Sequence, residues 1–198
     1  MNLNKTRAGV LVVAMGVAAG FAALVPGVSN AYDGVFNFTG TVTDTTCTVT
    51  TGASNQTIVL PTVSASSVKG TTTTTPVGLT PFTIAMSNCS GSTRTGAVAF
   101  FEPGATIDSN TGMLTNSSGT ATNVEIGLYN ADKTFINLSY ISGSQGVKSV
   151  TLTGSPATSG AFTNYSGTAR FLAGYVANGG TPGAGSISTS VNYTIVYQ

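Results

Sequence analysis

Histidine is absent from these 198 residues and charge is scarce, with seven Lys and Arg against six Asp and Glu, 7% of the chain. Without histidine no Ser-His-Asp arrangement can form. No G-x-S-x-G elbow or Walker loop occurs either. Cysteine is limited to Cys47 and Cys89, and two thiols without an imidazole cannot build a zinc shell. No metal and no cofactor is therefore expected. The shortage of charge leaves no basic patch to hold a phosphate backbone, which argues against nucleic acid as a partner. Disorder does not explain that shortage, since disordered chains are charge-rich and poor in β-branched residues. Helical patterning is the last absence: beyond Ala31 no segment keeps a 3.6-residue apolar period over three turns.

What is present is Thr, Ser, Val, Gly and Asn, a composition suited to strands joined by tight turns. Strand-like runs bounded by Gly, Asn, Ser and Pro cover 34–43, 47–51, 56–64, 77–88, 96–103, 123–130, 134–140, 147–153, 167–177 and 185–198. Many short strands at this spacing predict an all-β sandwich or barrel. The "TTTTT" at 71–75 and the Gly/Ser/Asn stretch at 109–122 read as loops or edges.

The N-terminus differs from the rest. Lys5 and Arg7 precede an apolar run from Ala8 to Leu24, then Pro26 and Gly27, with Ser29 and Ala31 at small-residue positions. This is the pattern of a secretory signal peptide cleaved after Ala31. An uncleaved membrane anchor is the competing reading, and a cut near Ala22 or Ala23 would lengthen the mature chain. Removing Lys5 and Arg7 leaves five basic against six acidic residues, a net charge of −1. In an exported chain an isolated cysteine pair is expected to form one disulfide, Cys47–Cys89. In the chain-entropy model a loop of this length contributes roughly 4 kcal/mol.

Smaller motif matches carry little. Ser66 to Lys69 fits S-x-x-K, but without its S-D-N or K-T-G partners it is a chance match in a Ser-rich chain. Asp108 and Asn110 hint at calcium ligation, yet the remainder of an EF-type loop is missing. The acidic residues are scattered, without a glycosidase context. "LPTVS" at 60–64 lacks the glycine and the hydrophobic tail of a wall-sorting signal, and the sequons at Asn37 and Asn137 read as strand and turn composition. No catalytic residue is expected.

The two ends of the mature chain are the informative parts. In "YDGVFNFTGTVTDTTC", Phe36, Phe38 and Val42 share one alternating face, with Gly40 between them. In "GSISTSVNYTIVYQ", Ile187, Thr189, Val191, Tyr193, Ile195 and Tyr197 point one way, and Ser188, Ser190, Asn192 and Thr194 the other. No strand follows this run to cover its outer side, so it is expected to leave an apolar groove and an unpaired edge. An apolar-faced segment can be donated to such an edge, with main-chain hydrogen bonds giving affinity and alternate pockets giving specificity.

These residues together resemble the pilin subunits of chaperone–usher fimbriae of Gram-negative bacteria. The likeness lies in G-x-x-x-F-x-G-x-V (Gly34, Phe38, Gly40, Val42) ahead of Cys47, in Cys89 some forty residues on, in Gly185 fourteenth from the C-terminus, and in the penultimate Tyr197. Internally, "LPTVSA", "VGLTPFTI", "TGMLTN" and "VNYTIVYQ" are similar to major shaft subunits of the uroepithelial-cell-adhesin type and related N-acetylglucosamine-binding fimbriae. The resemblance implies an incomplete immunoglobulin-like sandwich lacking its final strand. It implies a signal peptide (1–31), a donor-strand extension (32–46) and a pilin domain (47–198). Gly34, Phe36, Phe38, Gly40 and Val42 would form the donated strand, with Gly40 where bulk is not tolerated. Gly185, Ile187, Thr189, Val191, Tyr193, Ile195, Tyr197 and Gln198 would form the acceptor groove and the chaperone-binding strand. The implied partners are further copies of the chain, a periplasmic chaperone, an outer-membrane usher and a tip adhesin or adaptor, on a fibre exported to the cell surface. The short extension ahead of Cys47 keeps a tip-adaptor reading open, as does a single-domain glycan-binding adhesin. Cleavage after Ala31 predicts a mature protein beginning at Tyr32. The mass of the exported chain checks this, and any other start moves the domain boundary.

Overall fold

The structure is a computed structural model that describes residues 36–49, 56–92, 94–154 and 161–198. The expected signal peptide and Gly34 lie outside the described residues. The chain divides into two units, Met1–Gly40 and Thr41–Gln198. In the first, residues 36–40 have no regular secondary structure, and Phe36 and Phe38 are 88% and 92% exposed.

The second unit is built from β1 (Thr46–Val49), α1 (Ala65–Val68), β2 (Val77–Gly91), β3 (Gly96–Phe101), β4 (Val124–Asn130), β5 (Phe135–Ile136), β6 (Val150–Thr151), β7 (Phe162–Ala177) and β8 (Tyr193–Tyr197). One sheet has the order β1-β2-β7-β4-β5 and the other β6-β3-β8, with every pairing antiparallel. The backbone of this sheet framework is the long β2–β7 pair. Its register slips near each end, between Val77 and Thr80 and again on both sides of Cys89, from Met86 to Cys89 and from Cys89 to Gly91. Left-handed residues sit at both ends, Gly78 at φ 66° and Asn88 at φ 50°, residue types that tolerate that conformation. The second slip adjoins Cys89, which forms the expected disulfide with Cys47 and staples β1 to β2.

Alternation along the strands fills one interior. Ile84 of β2, Phe101 of β3, Ile126 and Leu128 of β4 and Phe171 and Ala173 of β7 meet between the two sheets. The Phe101 and Phe171 rings pack edge to face, with centroids 5.5 Å apart, a favourable arrangement for two quadrupoles. A second cluster gathers Met86, Cys89, Ala97, Leu152 and Phe162 around the disulfide end.

Strand β4 is buried along its whole length. Ile126 and Leu128 face the core, so Glu125 and Tyr129 occupy the opposite face, where they are also covered. Burial of Tyr129 pushes its hydroxyl up to about 12. Glu125 accepts from Asn178 Nδ2 at 2.7 Å and from Thr111 Oγ1 at 2.9 Å. Burial raises its carboxyl above the ordinary range, and the Asp108 charge adds to the rise against the lowering effect of those two bonds.

Edge groups are satisfied by a neutral amide. Beyond the short β6, the free side of β3 meets the side chain of buried Gln145, whose Oε1 accepts from Phe101 N at 3.1 Å while its Nε2 donates to Phe101 O at 2.7 Å. The carboxamide takes the place of a neighbouring peptide. Its Nε2 also reaches the carbonyls of Leu138 and Tyr140, fixing the loop that precedes it.

The all-β expectation holds, and the runs at 77–88, 96–103, 123–130 and 167–177 are strands, with β7 beginning earlier at Phe162. Others differ. The run at 34–43 has no strand in its described part and that at 56–64 has none. Both alternate, but neither has a ladder partner, and Pro61 lacks the N–H that a ladder needs. The runs at 134–140 and 147–153 shrink to two residues each, and 185–198 to Tyr193–Tyr197. Of the run at 47–51, residues 50 and 51 lie outside the described set. Ser66 stands in α1, where its hydroxyl shares a hydrogen bond with the N-cap Ser64. Asp108 accepts from the Asn110 amide in a local turn, and among the described residues no cluster of three His, Cys, Asp or Glu could hold a metal.

Two outcomes test these assignments. Gln145→Ala strips two buried backbone groups of their partners and is expected to cost about 2–4 kcal/mol in denaturant unfolding; a neutral result refutes the surrogate-peptide role. For Glu125, a raised folded-state value means that the folded protein holds the proton longer than the unfolded chain. Its stabilising contribution is full in acid, below the unfolded carboxyl value, and is lost as pH rises through the folded one. Glu125→Gln is therefore expected to raise the melting temperature near neutrality, with the gain vanishing in acid. A difference that stays constant with pH contradicts this.

Candidate acceptor groove

Along one side of the sandwich the core is open. A groove of about 1080 Å³ runs there, and its floor is the interior itself: Phe82 and Ile84 of β2, Phe101 of β3, Ile126 and Leu128 of β4. One wall is the terminal run, with Ile187, Thr189, Val191, Tyr193, Ile195 and Tyr197 turned into it. The other lip is formed by Val49 and the extended segment 56–60, where Ile58 and Leu60 face in while Val59 is 81% exposed. No charged residue lines the groove among the described residues.

The wall is also an open hydrogen-bonding edge. Gly96 and Gln198 exchange both main-chain bonds, and Glu102 N donates to Asn192 O. In an antiparallel pair bonded and non-bonded residues alternate. The even-numbered residues Asn192, Thr194, Val196 and Gln198 therefore face β3, and Tyr193, Ile195 and Tyr197 direct N–H and C=O away from it. On the far side, β8 has no neighbouring strand among the described residues. The residues that offer apolar side chains to the groove thus offer their backbone to whatever lies beside it.

The structure brings the expected acceptor residues together. All six odd-numbered positions are half-buried, and Ser188, Ser190, Asn192 and Thr194 are exposed, as the alternation requires. Gly185 lies against the 120–121 backbone, where a Cβ would collide. Gln198 is exposed, with one terminal oxygen accepting from Gly96 N at 3.0 Å. Tyr197 has a further role: its hydroxyl accepts from Cys47 N at 2.9 Å, tying the end of β8 to the start of β1. Of the expected donor residues, Phe36 and Phe38 are exposed, Val42 is 99% exposed, and a Cβ on Gly40 would meet nothing within 4 Å.

Sequence reasoning missed the residues that hold the upper wall. Asn116 and Thr120, in the stretch 109–122 that reads as loop or edge, bond the run at Ser186 and Ser188. The polar string "TNSSGT" was the available signal, but turns of this composition are common. The lip at 56–60 was misread as a strand, although its alternation did mark which side chains face in.

Comparison with known proteins agrees with this geometry. The family described as type-1 fimbrial protein, A (FimA) matches residues 60–198. The F17 fimbrial protein of Escherichia coli is 43% identical over 173 residues, covering 85% of this chain and 89% of that one. The major fimbrial subunit SMF-1 of Stenotrophomonas maltophilia is 36% identical over 181 residues, covering 89% and 99%. Among solved structures, the P pilus rod subunit PapA superposes with a TM-score of 0.54 at 17% identity, covering 77% of this chain and 99% of that one. A chaperone–usher pilus subunit gives 0.55 at 20% identity, covering 87% and 99%; at these identities the likeness is one of fold, the immunoglobulin-like sandwich. This chain belongs to the type-1 fimbrial protein family and is a structural subunit of a cell-surface fimbria.

Proposed function

We propose that this chain is the major, shaft-forming subunit of an adhesive fimbria and polymerises by strand donation. Residues 32–46 of one copy, the mature N-terminus after cleavage at Ala31, enter the groove of the next. The observation that carries this is the charge-free groove beside the unpaired edge of β8, with Phe36, Phe38 and Val42 of the same sequence exposed. Burying those three side chains contributes roughly 5–9 kcal/mol, at about 1.5–3 each, and ladder hydrogen bonds add to it. Gly40 passes where a side chain would stand. Before assembly a periplasmic chaperone lends a strand to the same edge and holds the Gln198 carboxylate, and an outer-membrane usher supports the exchange. A tip adhesin or adaptor completes the fibre. The name of the Stenotrophomonas relative, a major fimbrial subunit, supports the shaft position. The short extension ahead of Cys47 favours a second reading, a tip adaptor, which would use the same joint. The family is a structural one, and we assign no catalytic step to the chain.

The test is displacement. Purified subunit–chaperone complex is mixed with a synthetic peptide of residues 32–46, and release of chaperone is followed. Wild-type peptide is expected to displace the chaperone and the Gly40→Tyr peptide to fail. Equal behaviour of the two peptides, or no displacement by either, removes strand exchange through this segment.

A further inference from the structure

The groove wall is held from behind in different ways along its length, with Thr106 Oγ1 donating to Ser190 O at 2.6 Å between a ladder below and a turn above. From Asn192 to Gln198 its inner edge is a ladder with β3. At Ser186 and Ser188 the neighbour is the turn 116–121. There the two inward carbonyls accept from main-chain amides, Ser186 O from Ala121 N at 2.9 Å and Ser188 O from Ser118 N at 3.1 Å. The two inward N–H groups go to side chains: Ser188 N donates to Asn116 Oδ1 at 2.9 Å, and Ser186 N to Thr120 Oγ1 at 3.0 Å. Asn116 does more than fill one gap. Its Nδ2 donates to Ser186 O at 3.0 Å and to Ala121 O at 2.9 Å, and its Oδ1 also accepts from Gly119 N at 3.0 Å. One amide therefore binds two residues of the wall and both arms of the turn. Gly119 allows the approach, since a Cβ there would strike Ser186 O.

We propose that Asn116 is a positioning residue of the acceptor groove, an inference that rests on the strand-acceptance reading above. Ile187 lies between the two pinned serines, and its side chain faces the groove because both flanking residues are tied from behind. The upper part of the binding wall thus rests on a turn rather than on a strand, and Asn116 is the side chain that ties that turn together and to both serines. A carboxamide is required, because the site presents two N–H donors to its oxygen and two carbonyl acceptors to its nitrogen. A carboxylate would satisfy the donors and repel the carbonyls.

The test compares wild type, Asn116→Ala and Asn116→Asp as subunit–chaperone complexes. Capture of the 32–46 peptide is measured together with amide hydrogen exchange along 186–197. Losing the bonds to the run lowers the fraction of binding-competent groove, and capture by Asn116→Ala is expected to fall about tenfold or more. Amides at 186–190 should exchange faster while those of β8 keep their protection. Asn116→Asp should be slow at neutral pH and recover towards wild type as pH falls through the carboxyl range, because the protonated acid donates again. Wild type measured at each pH separates this recovery from other titrations. Unchanged capture by Asn116→Ala overturns the proposal, as does loss of protection throughout β8 or an Asn116→Asp variant without acid recovery. If wild type itself captures no peptide, strand acceptance fails instead, and the exchange comparison alone decides whether Asn116 holds the wall.

Discussion

An antiparallel sheet leaves every second residue of an edge strand with unpaired N–H and C=O groups, and in this protein those residues also carry the apolar side chains of an unclosed core. The coincidence follows from the register of β8 on β3. Because Gln198 bonds to Gly96, Tyr197, Ile195 and Tyr193 turn both backbone and side chain towards the open side. A single extended segment laid there would satisfy both demands at once, pairing the edge and covering Phe82, Ile126 and Leu128. A helix or a loop could cover the floor but not complete the ladder, so neither meets both demands. The groove therefore selects for an extended occupant before any particular residue is considered.

The same economy of charge runs through the remainder of the unit. Where strands are too short or absent, neutral amides complete the hydrogen bonding. Gln145 stands beside Phe101 as a peptide would, Asn116 pins the upper groove wall, and Asn130 donates to Thr134 and Gly146 while accepting from Lys148 N. A carboxamide presents the donor and acceptor of a peptide group on a side chain, so it can be spliced into an interrupted ladder without the desolvation cost of an ion. That accounts for a chain rich in Asn, Ser and Thr but poor in charge. Glu125 is the exception, and its buried carboxyl is held by Thr111 and Asn178 and shifted towards the neutral form by burial and the Asp108 charge.

The alternation of residues 185–198 was legible in the sequence and so was its consequence, because the period of two reports which side chains share a face. What alternation cannot report is the partner. The runs at 34–43 and 56–64 alternate as well as β8 does, yet the first has no strand in its described part and the second lies as a lip with Ile58 and Leu60 turned inward. The upper half of the terminal run keeps its facing but loses its strand label for the same reason, since its neighbour is a turn and not β3. The cysteine pair was legible through compartment and count, whereas Asn116 and Gln145 were not. Their importance comes from contacts 70 and 44 residues away in sequence, and no local pattern marks an amide that bridges such distances.

The absence of charge in the groove bears on what kind of joint the family fold can make here. Interactions between exposed ions weaken with salt over a screening length of about 8–10 Å, and carboxylate pairs titrate away in acid. Among the described residues the groove lining contains neither, and in the proposed donor segment 32–46 the apolar-faced run 34–43 is uncharged, with Asp33 and Asp44 standing on either side of it. Such a joint draws its strength from apolar burial and main-chain hydrogen bonds, and excluded salts strengthen rather than screen the burial. Specificity then has to come from shape, from the spacing of Phe36, Phe38 and Val42 against alternating pockets and from the missing side chain at Gly40. That places the burden of recognition on the geometry of the wall, which is why the side chains that hold the wall matter as much as those that line it.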